Sequence, residues 1–215
     1  MQIRNLIPIA SGTYNYFVTL VSTALVFFAF GFNSLGYFVI CMLLFVLFFF
    51  RDPKRRVPPG DDIIVSPADG KISCIEDVYE NTFLHSKATR IVIILSLFNV
   101  HINRSPIAGV VKYKKYSHGK FIPVFKDHFC DENESNSIGI EHSNGVKVLV
   151  NQITGFLARR IVCNAHKNSN LALGQKYGMI KFGSCVELFV PTNTTLKVSI
   201  GDRVKALSSI IGVMN

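Results

Sequence analysis

No charged side chain occurs between Tyr14 and Phe50, which restricts this stretch to apolar helices in a protein of 215 residues. The stretch divides at residues 31–36 into two apolar segments of roughly 15 to 18 residues, near the shortest helix that spans a hydrocarbon core. The two segments are compatible with a tight spanning hairpin, a re-entrant pair or one bent segment in a single leaflet. We expect residues 1–50 to be an N-terminal membrane anchor of two short apolar helices. A removable signal peptide is not expected, because the apolar run is too long and no small-residue cleavage pattern follows it.

A basic, proline-rich segment follows the anchor at residues 51–60, RDPKRRVPPG. Its prolines stop a helix, and its basic residues predict by the positive-inside rule that this end faces the cytoplasm. The net charge of +9 favours partners that carry phosphate. Beside an apolar anchor an anionic membrane is the simpler partner, and no nucleic acid is expected, because aromatic and basic residues do not alternate as they do in RNA-binding domains. We therefore expect the domain that follows the anchor to lie on the cytoplasmic face of the cell membrane.

Residues 51–215 show the pattern of a mainly β domain with a sandwich or barrel architecture. Apolar or β-branched runs bounded by Gly, Pro, Asn and Asp predict strands at Ile63–Val65, Arg90–Leu95, Val110–Tyr113, Ile138–Glu141, Val146–Val150, Cys185–Val190 and Thr195–Ile200. One short amphipathic helix is predicted over Gln152–Asn164. Two Asp/Gly-containing segments, Ser66–Ile72 and Ser199–Lys205, resemble each other as the tight turns of barrel-sandwich hybrids do, although Asp and Gly also favour ordinary hairpin turns.

The five cysteines indicate neither a disulfide framework nor a zinc knuckle. Their number is odd and no two of them form a C-x-x-C pair. We expect no metal in the site and a reducing compartment for the folded domain.

The pair Gly183-Ser184, just before an apolar strand pattern, is a candidate site of self-cleavage. A serine hydroxyl can attack the carbonyl before it and convert the amide into an ester, and glycine removes the Cβ that would obstruct the strained turn. Elimination from that ester leaves a new chain that begins with a pyruvoyl group. Taken alone, Gly-Ser is also a common pair near strand starts. A Cys185 thiol is the better nucleophile, but its attack would fall one bond later, and we interpret it as a small strand residue.

His101 and Asp69 supply, with this serine, the base and the orienting carboxylate of an activated nucleophile, each beside a turn. Asp69 has an alternative role, because a carboxylate in a turn also caps its own backbone. The polar residues Asn99, Asn103 and Arg104 crowd an otherwise apolar neighbourhood, which is costly unless they bind something. The planar guanidinium of Arg104 suits a phosphate or a carboxylate.

Four segments carry a resemblance to a known family. They are Val65–Lys71, Phe98–Gly109, Gln152–Cys163 and Phe182–Leu188. In this order they resemble the motifs of phosphatidylserine decarboxylase proenzymes, in particular the short bacterial and archaeal branch. The resemblance covers about Phe50 to Val204.

The resemblance implies a self-processing enzyme whose cofactor is made from its own chain. Cleavage would divide the decarboxylase domain, residues 51–215, so that the β chain is 1–183 and the α chain 184–215. Ser184 would become a covalent pyruvoyl group that forms a Schiff base with the amine of phosphatidylserine and accepts electrons as carbon dioxide leaves. The product would be phosphatidylethanolamine, in phospholipid biosynthesis. A homo-oligomer is compatible with the sequence.

The same resemblance implies roles for the side chains around the cleavage pair. His101 would serve as the base for processing and as the proton carrier in decarboxylation, with Asp69 beside it. In the longer branch of the family a second imidazole and a carboxylate stand where this chain has Arg104 and Asn99. The candidates for substrate binding are Arg104, Asn99, Arg159 and Arg160.

Two other functions are weighed on the residues. A membrane-tethered carrier or binding module of the sandwich-hybrid type needs a modifiable side chain at a hairpin tip, for which Lys71 is a candidate. A zinc endopeptidase is suggested by residues 140–146, IEHSNGV, around His142. It also needs an H-x-H pair on the following strand, and Val148–Gln152 contains none.

Overall fold

The computed structural model describes residues 13–60, 62–122, 129–155, 160–181 and 184–214. The chain divides into two compact units between Lys54 and Arg55. The first unit contains helices α1 (Tyr14–Ala29) and α2 (Asn33–Phe49), so the apolar stretch forms two helices. Among the described residues, no helix combines the length and apolar character that crossing a membrane requires.

The two helices of the first unit pack antiparallel. At one end the Tyr16 ring stacks on the ring of Phe50, with centroids 6.1 Å apart. At the other end Phe28 meets Tyr37 edge to face at 5.3 Å. A Cβ on Gly36 would lie 2.6 Å from the Phe28 ring, so glycine is what lets the helices approach here.

The second unit is mainly β and has the predicted sandwich- or barrel-like character. Its strands are β1 (Ile63–Val65), β2 (Gly70–Glu80), β3 (Ser86–Leu95), β4 (Ile102–Arg104), β5 (Gly109–Ser117), β6 (Ser135–Glu141), β7 (Lys147–Thr154), β8 (Arg160–Cys163), β9 (Asn170–Leu171), β10 (Lys176–Lys181), β11 (Ser184–Pro191), β12 (Thr195–Leu196), β13 (Arg203–Val204) and β14 (Ile210–Val213). A four-residue helix, α3 (Phe129–Glu132), precedes β6.

These strands form three sheets with antiparallel pairing between neighbouring strands. The large sheet has the order β13-β2-β3-β11-β7-β6-β5-β9, and two small sheets have the orders β4-β10-β8 and β1-β14-β12. Alternate residues of the central strands face the main core, including Ile91 and Ile93 of β3 and Val186 and Leu188 of β11. Each of these four side chains is fully buried.

Three neighbouring strands of the large sheet continue into three neighbouring strands of a small one, in the same order. β3 leads to β4 through residues 96–101, β7 leads to β8 through 155–159, and β10 leads to β11 through 182–183. Because neighbouring strands are antiparallel, the strand ends that flank these connections lie at the same end of each sheet. We call these strand ends, Leu95, Thr154, Arg160, Lys181 and Ser184, together with residues 96–101, the crossover rim. Ser184 begins the central one of the three strands in the large sheet.

Two turns of the form Ser-Pro-x-x-Gly, Ser66–Gly70 and Ser105–Gly109, support the strands that follow them. In each, the serine hydroxyl donates to the carbonyl two residues later at 2.7 Å. The residues that precede them, Val65 and Arg104, each donate their N–H to the proline carbonyl of the other turn at 2.9 Å. The reciprocal bonds tie the two turns together and fix the end of β4.

The segments Ser66–Ile72 and Ser199–Lys205, which resemble each other in sequence, pair with each other in the fold. Arg203 lies opposite Lys71 and Val204 opposite Gly70 at the edge of the large sheet. Their resemblance therefore accompanies a direct contact.

The helix predicted over Gln152–Asn164 is wrong in its described part. Residues up to Thr154 belong to β7 and Arg160–Cys163 form β8. The apolar residues with helical spacing come from two strands and the connection between them. The strand predicted over Thr195–Ile200 is also shorter and ends at Leu196.

Candidate active site

The new chain end that a cut would create already lies within the sheet. The backbone of Ser184 pairs with Leu95 of β3 on one side and with Thr154 of β7 on the other. Before the cut, β10 ends at Lys181, opposite Arg160 of β8. Gly183 lies outside the described residues. A cut between residues 183 and 184 would leave Lys181 and Ser184, on either side of it, paired with neighbouring strands.

The end of β7 beside Ser184 is fixed by polar contacts. Thr154 donates its N–H and its hydroxyl to the Glu134 carbonyl at 3.0 and 3.1 Å. Its own carbonyl accepts the side-chain amide of Asn133 at 2.8 Å. Asn133 is buried, and its amide oxygen accepts the N–H of Ile122 at 2.6 Å. These contacts restrict movement of β7, the strand that pairs with Ser184.

His101 lies at the end of the first rim connection, directly before β4, and is completely buried. Its carbonyl accepts the N–H of Ile180 in β10 at 3.3 Å. Ile180 is four positions before Ser184 along the chain. The structure therefore brings the backbones of the predicted base and the predicted nucleophile to the same rim.

The Asp69 carboxylate bonds to residues other than the predicted partner His101. Its two carboxylate oxygens accept from the Arg55 guanidinium at 2.7 Å and from the Ala206 N–H at 2.8 Å. The Arg55 and Asp69 side chains are 8% and 9% exposed. Within the described part of the chain no hydrogen bond joins Asp69 to His101, so its orienting role stays a prediction.

The predicted substrate-binding residues lie in different settings. Arg104 is buried in β4 and donates to the Gly174 carbonyl at 3.1 Å. The amide oxygen of Asn99 accepts the N–H and the hydroxyl of Ser96, both at 2.8 Å, and so shapes the turn that leads to His101. Arg160 is exposed at the start of β8.

Arg159, the remaining substrate-binding candidate, lies outside the described residues. In the sequence it directly precedes β8.

Three buried side-chain amides form a hydrogen-bonded chain next to the rim. The sequence alone did not predict that they interact. The Asn136 amide donates to the Gln152 oxygen at 2.8 Å, and the Gln152 amide donates to the Asn103 oxygen at 2.8 Å. All three side chains are buried. Among the described residues the Asn103 Nδ2 has no partner. The signal in the sequence was a polar residue two positions after His101 in an apolar neighbourhood.

Cys185 follows the cleavage pair and lies in an apolar cluster with Val92 and Ile153. Its sulfur is 3.9 Å from that of Cys130. Burial raises the pKa of the Cys185 thiol well above its ordinary value, so the thiol is protonated at neutral pH. This favours its interpretation as a strand residue over its role as a nucleophile.

In the part of the chain that the structure describes, no group of three or more His, Cys, Asp or Glu is placed to hold an ion. His142 of the considered peptidase motif accepts the Asn144 N–H through Nδ1 at 3.4 Å, as a turn residue does.

Comparison with known proteins identifies relatives over most of the chain. The profile of the phosphatidylserine decarboxylase family matches residues 42–212. A phosphatidylserine decarboxylase proenzyme of Carboxydothermus hydrogenoformans is 46% identical over 179 residues, which are 83% of this chain and 84% of that protein. The proenzyme of Symbiobacterium thermophilum is 42% identical over 83% of each chain. That of Geotalea uraniireducens is 39% identical over 96% of this chain and 97% of its own length.

Proposed function

The chain belongs to the phosphatidylserine decarboxylase family, and we propose that it matures by cutting itself between Gly183 and Ser184. The enzyme converts phosphatidylserine to phosphatidylethanolamine and carbon dioxide. The comparisons favour this activity over a carrier module that uses Lys71. The observation that carries the self-cleavage is the position of Ser184 at the start of the central strand at the crossover rim, paired on both sides.

The cut follows from the chemistry of the serine. The Ser184 hydroxyl adds to the Gly183 carbonyl and the C–N bond breaks, which converts the amide into an ester and frees the Ser184 amine. Removal of the α-proton of Ser184 then expels the Gly183 carboxylate. Tautomerisation and hydrolysis release ammonia and leave a pyruvoyl group at position 184. His101 is the proposed base, because its side chain is buried and its backbone lies at the same rim as Ser184.

The residues around position 184 fit such a group. The chain that begins there keeps its pairing with β3 and β7, so the group would be held without a further ligand. When present, the pyruvoyl ketone supplies an electrophile for the substrate amine and an electron sink for the carbon–carbon bond that breaks.

The chain's own side chains would bind the headgroup and move protons. The exposed Arg160 lies at the rim, where its guanidinium can bind the lipid phosphate as a fork of donors. The buried Arg104 stabilises the turn at Gly174 by donating to its carbonyl, and we keep it as a candidate for substrate binding. His101 would return a proton to the α-carbon after carbon dioxide leaves. Asp69 would act on this site through the turn that it holds.

Release of carbon dioxide from phosphatidylserine vesicles tests the function. We expect turnover by the wild-type chain, none by Ser184→Ala, and little with soluble serine or other amino-lipids. Turnover by Ser184→Ala equal to that of the wild type would overturn the proposal.

We further propose that the helical unit lies in the cell membrane, with the decarboxylase domain on its cytoplasmic face. In support, α1, α2 and the turn between them expose large apolar side chains, among them Phe30 at 75%, Tyr37 at 65% and Leu25 at 63%. Lys54 and Arg56, the exposed basic residues of the segment 51–60, would contact anionic headgroups. The full-length chain should stay with membranes after a carbonate wash; its release into the supernatant would contradict this.

A further inference from the structure

The buried amide chain crosses the core from one sheet to the other. Asn136 lies on β6 and Gln152 on β7, both in the large sheet, whereas Asn103 lies on β4 in the small sheet. Gln152 and Asn103 have no exposed surface. A polar chain in an apolar core is costly to bury, and it is tolerated when each member is hydrogen-bonded.

A glycine makes room for this crossing. A Cβ on Gly178 of β10 would lie 2.3 Å from the Val162 carbonyl oxygen and 2.9 Å from the Gln152 Nε2. The Gln152 amide therefore occupies the space that a side chain at position 178 would need. Gly178 also lies directly opposite Asn103 in the strand pairing. The two amides are thus positioned by the backbone of β10.

One end of the buried amide chain carries a hydrogen-bond donor that is not used within that chain. The Asn103 oxygen accepts from Gln152, but the Asn103 Nδ2 has no partner in the part of the chain that the structure describes. Asn103 lies two positions after His101, and every second residue of an extended chain points to the same side. Gln152 lies two positions before Thr154, which pairs with Ser184. The spare donor therefore lies next to the rim.

We propose that the Asn103 Nδ2 donates a hydrogen bond to an anionic oxygen at the crossover rim. This inference rests on the proposed function, which provides two such oxygens. One is the oxyanion that forms on the Gly183 carbonyl during the cut, and the other is the carboxylate of the serine headgroup. A neutral amide suits both, because it orients the oxygen without the strong ground-state stabilisation that a cation would give a carboxylate about to leave as neutral carbon dioxide.

Two substitutions of Asn103 test this donor. Asn103→Asp keeps the shape and the acceptor for Gln152 but removes the amide donor, and Asn103→Leu removes the whole polar group. Tyr177→Phe is the matched control, since the buried Tyr177 hydroxyl in β10 also has no partner among the described residues. Thermal unfolding of all variants identifies losses that come from the fold alone.

Two readouts distinguish the two oxygens. Accumulation of uncut precursor in the Asn103 variants assigns the donor to the oxyanion. Normal cutting with kcat reduced about 100-fold, the usual cost of one such donor, assigns it to the headgroup carboxylate. In Asn103→Asp the affected step should recover, relative to wild type, as the pH falls and the new carboxyl becomes a donor.

Tyr177→Phe should cut and turn over within twofold of the wild type. The inference is overturned if folded Asn103→Leu or Asn103→Asp matches the wild type in both readouts. It is equally overturned if Asn103→Asp, folded and defective, shows no recovery at low pH. A wild-type chain that neither cuts itself nor releases carbon dioxide would instead refute the proposed function.

Discussion

The guanidinium of Arg55 donates to the carboxylate of Asp69 at 2.7 Å, and the two side chains are almost completely buried. Arg55 also donates to the Ala206 carbonyl at 3.1 Å, and Ala206 returns its N–H to Asp69 at 2.8 Å. The three residues close a ring of contacts between the segment after the helical unit and two turns of the β domain. We expect this ring to be a structural clasp.

Replacing either member of the ion pair should destabilise the β domain. Asp69→Asn and Arg55→Met each leave a buried partner without its counter-charge, and we expect each to lower the free energy of unfolding by about 3 kcal/mol. Urea unfolding measures this loss. A denaturing gel measures self-cleavage after incubation at a low temperature, at which the destabilised variants stay folded. Loss of cleavage in Asp69→Asn alone, with both variants folded, would contradict a purely structural clasp and support the predicted catalytic role.

Gly178→Ala should damage the packing of β10. The added Cβ would meet the Val162 carbonyl and the Gln152 amide within 3 Å, so the backbone must shift at a cost of about 1–3 kcal/mol. Thermal unfolding checks this. Gly145→Asn is the comparison, because Gly145 has open space around it, so that any loss there comes only from its positive φ, which asparagine adopts more readily than most residues. Equal melting temperatures for Gly178→Ala and the wild type would contradict the close packing.

Glu80 should make stability depend on pH. Burial raises the pKa of its carboxyl, but hydrogen bonds from the Thr82 hydroxyl and the N–H groups of Leu84, Thr82 and Phe83 outweigh it and lower the pKa. A folded-state pKa below the unfolded one gives stability that is complete above the unfolded value of about 4.3 and is lost as the pH falls through the folded value. Glu80→Gln should therefore cost about 1–3 kcal/mol at pH 7 and progressively less below pH 4.

Urea unfolding of both proteins across this range gives the comparison. A difference between wild type and Glu80→Gln that stays constant from pH 7 to pH 3 would show that the carboxylate charge contributes nothing.

Cys185→Ala should leave self-cleavage intact. The raised pKa keeps the thiol protonated, and we expect only a stability loss of about 1 kcal/mol from the smaller side chain in its apolar cluster. A gel of freshly made protein measures cleavage. If Cys185→Ala stays uncut while Ser184→Ala is cut, the nucleophile is the Cys185 sulfur and not the Ser184 hydroxyl.

Many strands of the β domain could be predicted from the sequence because the central strands are apolar. The strands Arg90–Leu95 and Cys185–Val190 lie within β3 and β11, where both faces pack against other residues. β2 was not predicted, because it mixes Lys71, Glu76 and Asp77 with apolar residues and alternates between a buried and an exposed face. Long apolar runs identify strands that are covered on both sides more readily than strands at a partly exposed face.

The site could be predicted only in part. Motif order suggested Ser184 and His101, and their backbones lie at one rim. The partner of Asp69 could not be read from the chain, because Arg55 is fourteen positions away in a segment that resembles a solvated linker. The amide chain could not be read either, since Gln152 and Asn103 are distant in sequence and meet only because two sheets face each other.

The intact mass of the denatured full-length protein tests the central claim most directly. We predict two species that correspond to residues 1–183 and 184–215, the smaller one without a free N-terminal amine. One uncut species of 215 residues, in a preparation that releases carbon dioxide from phosphatidylserine, would contradict the account.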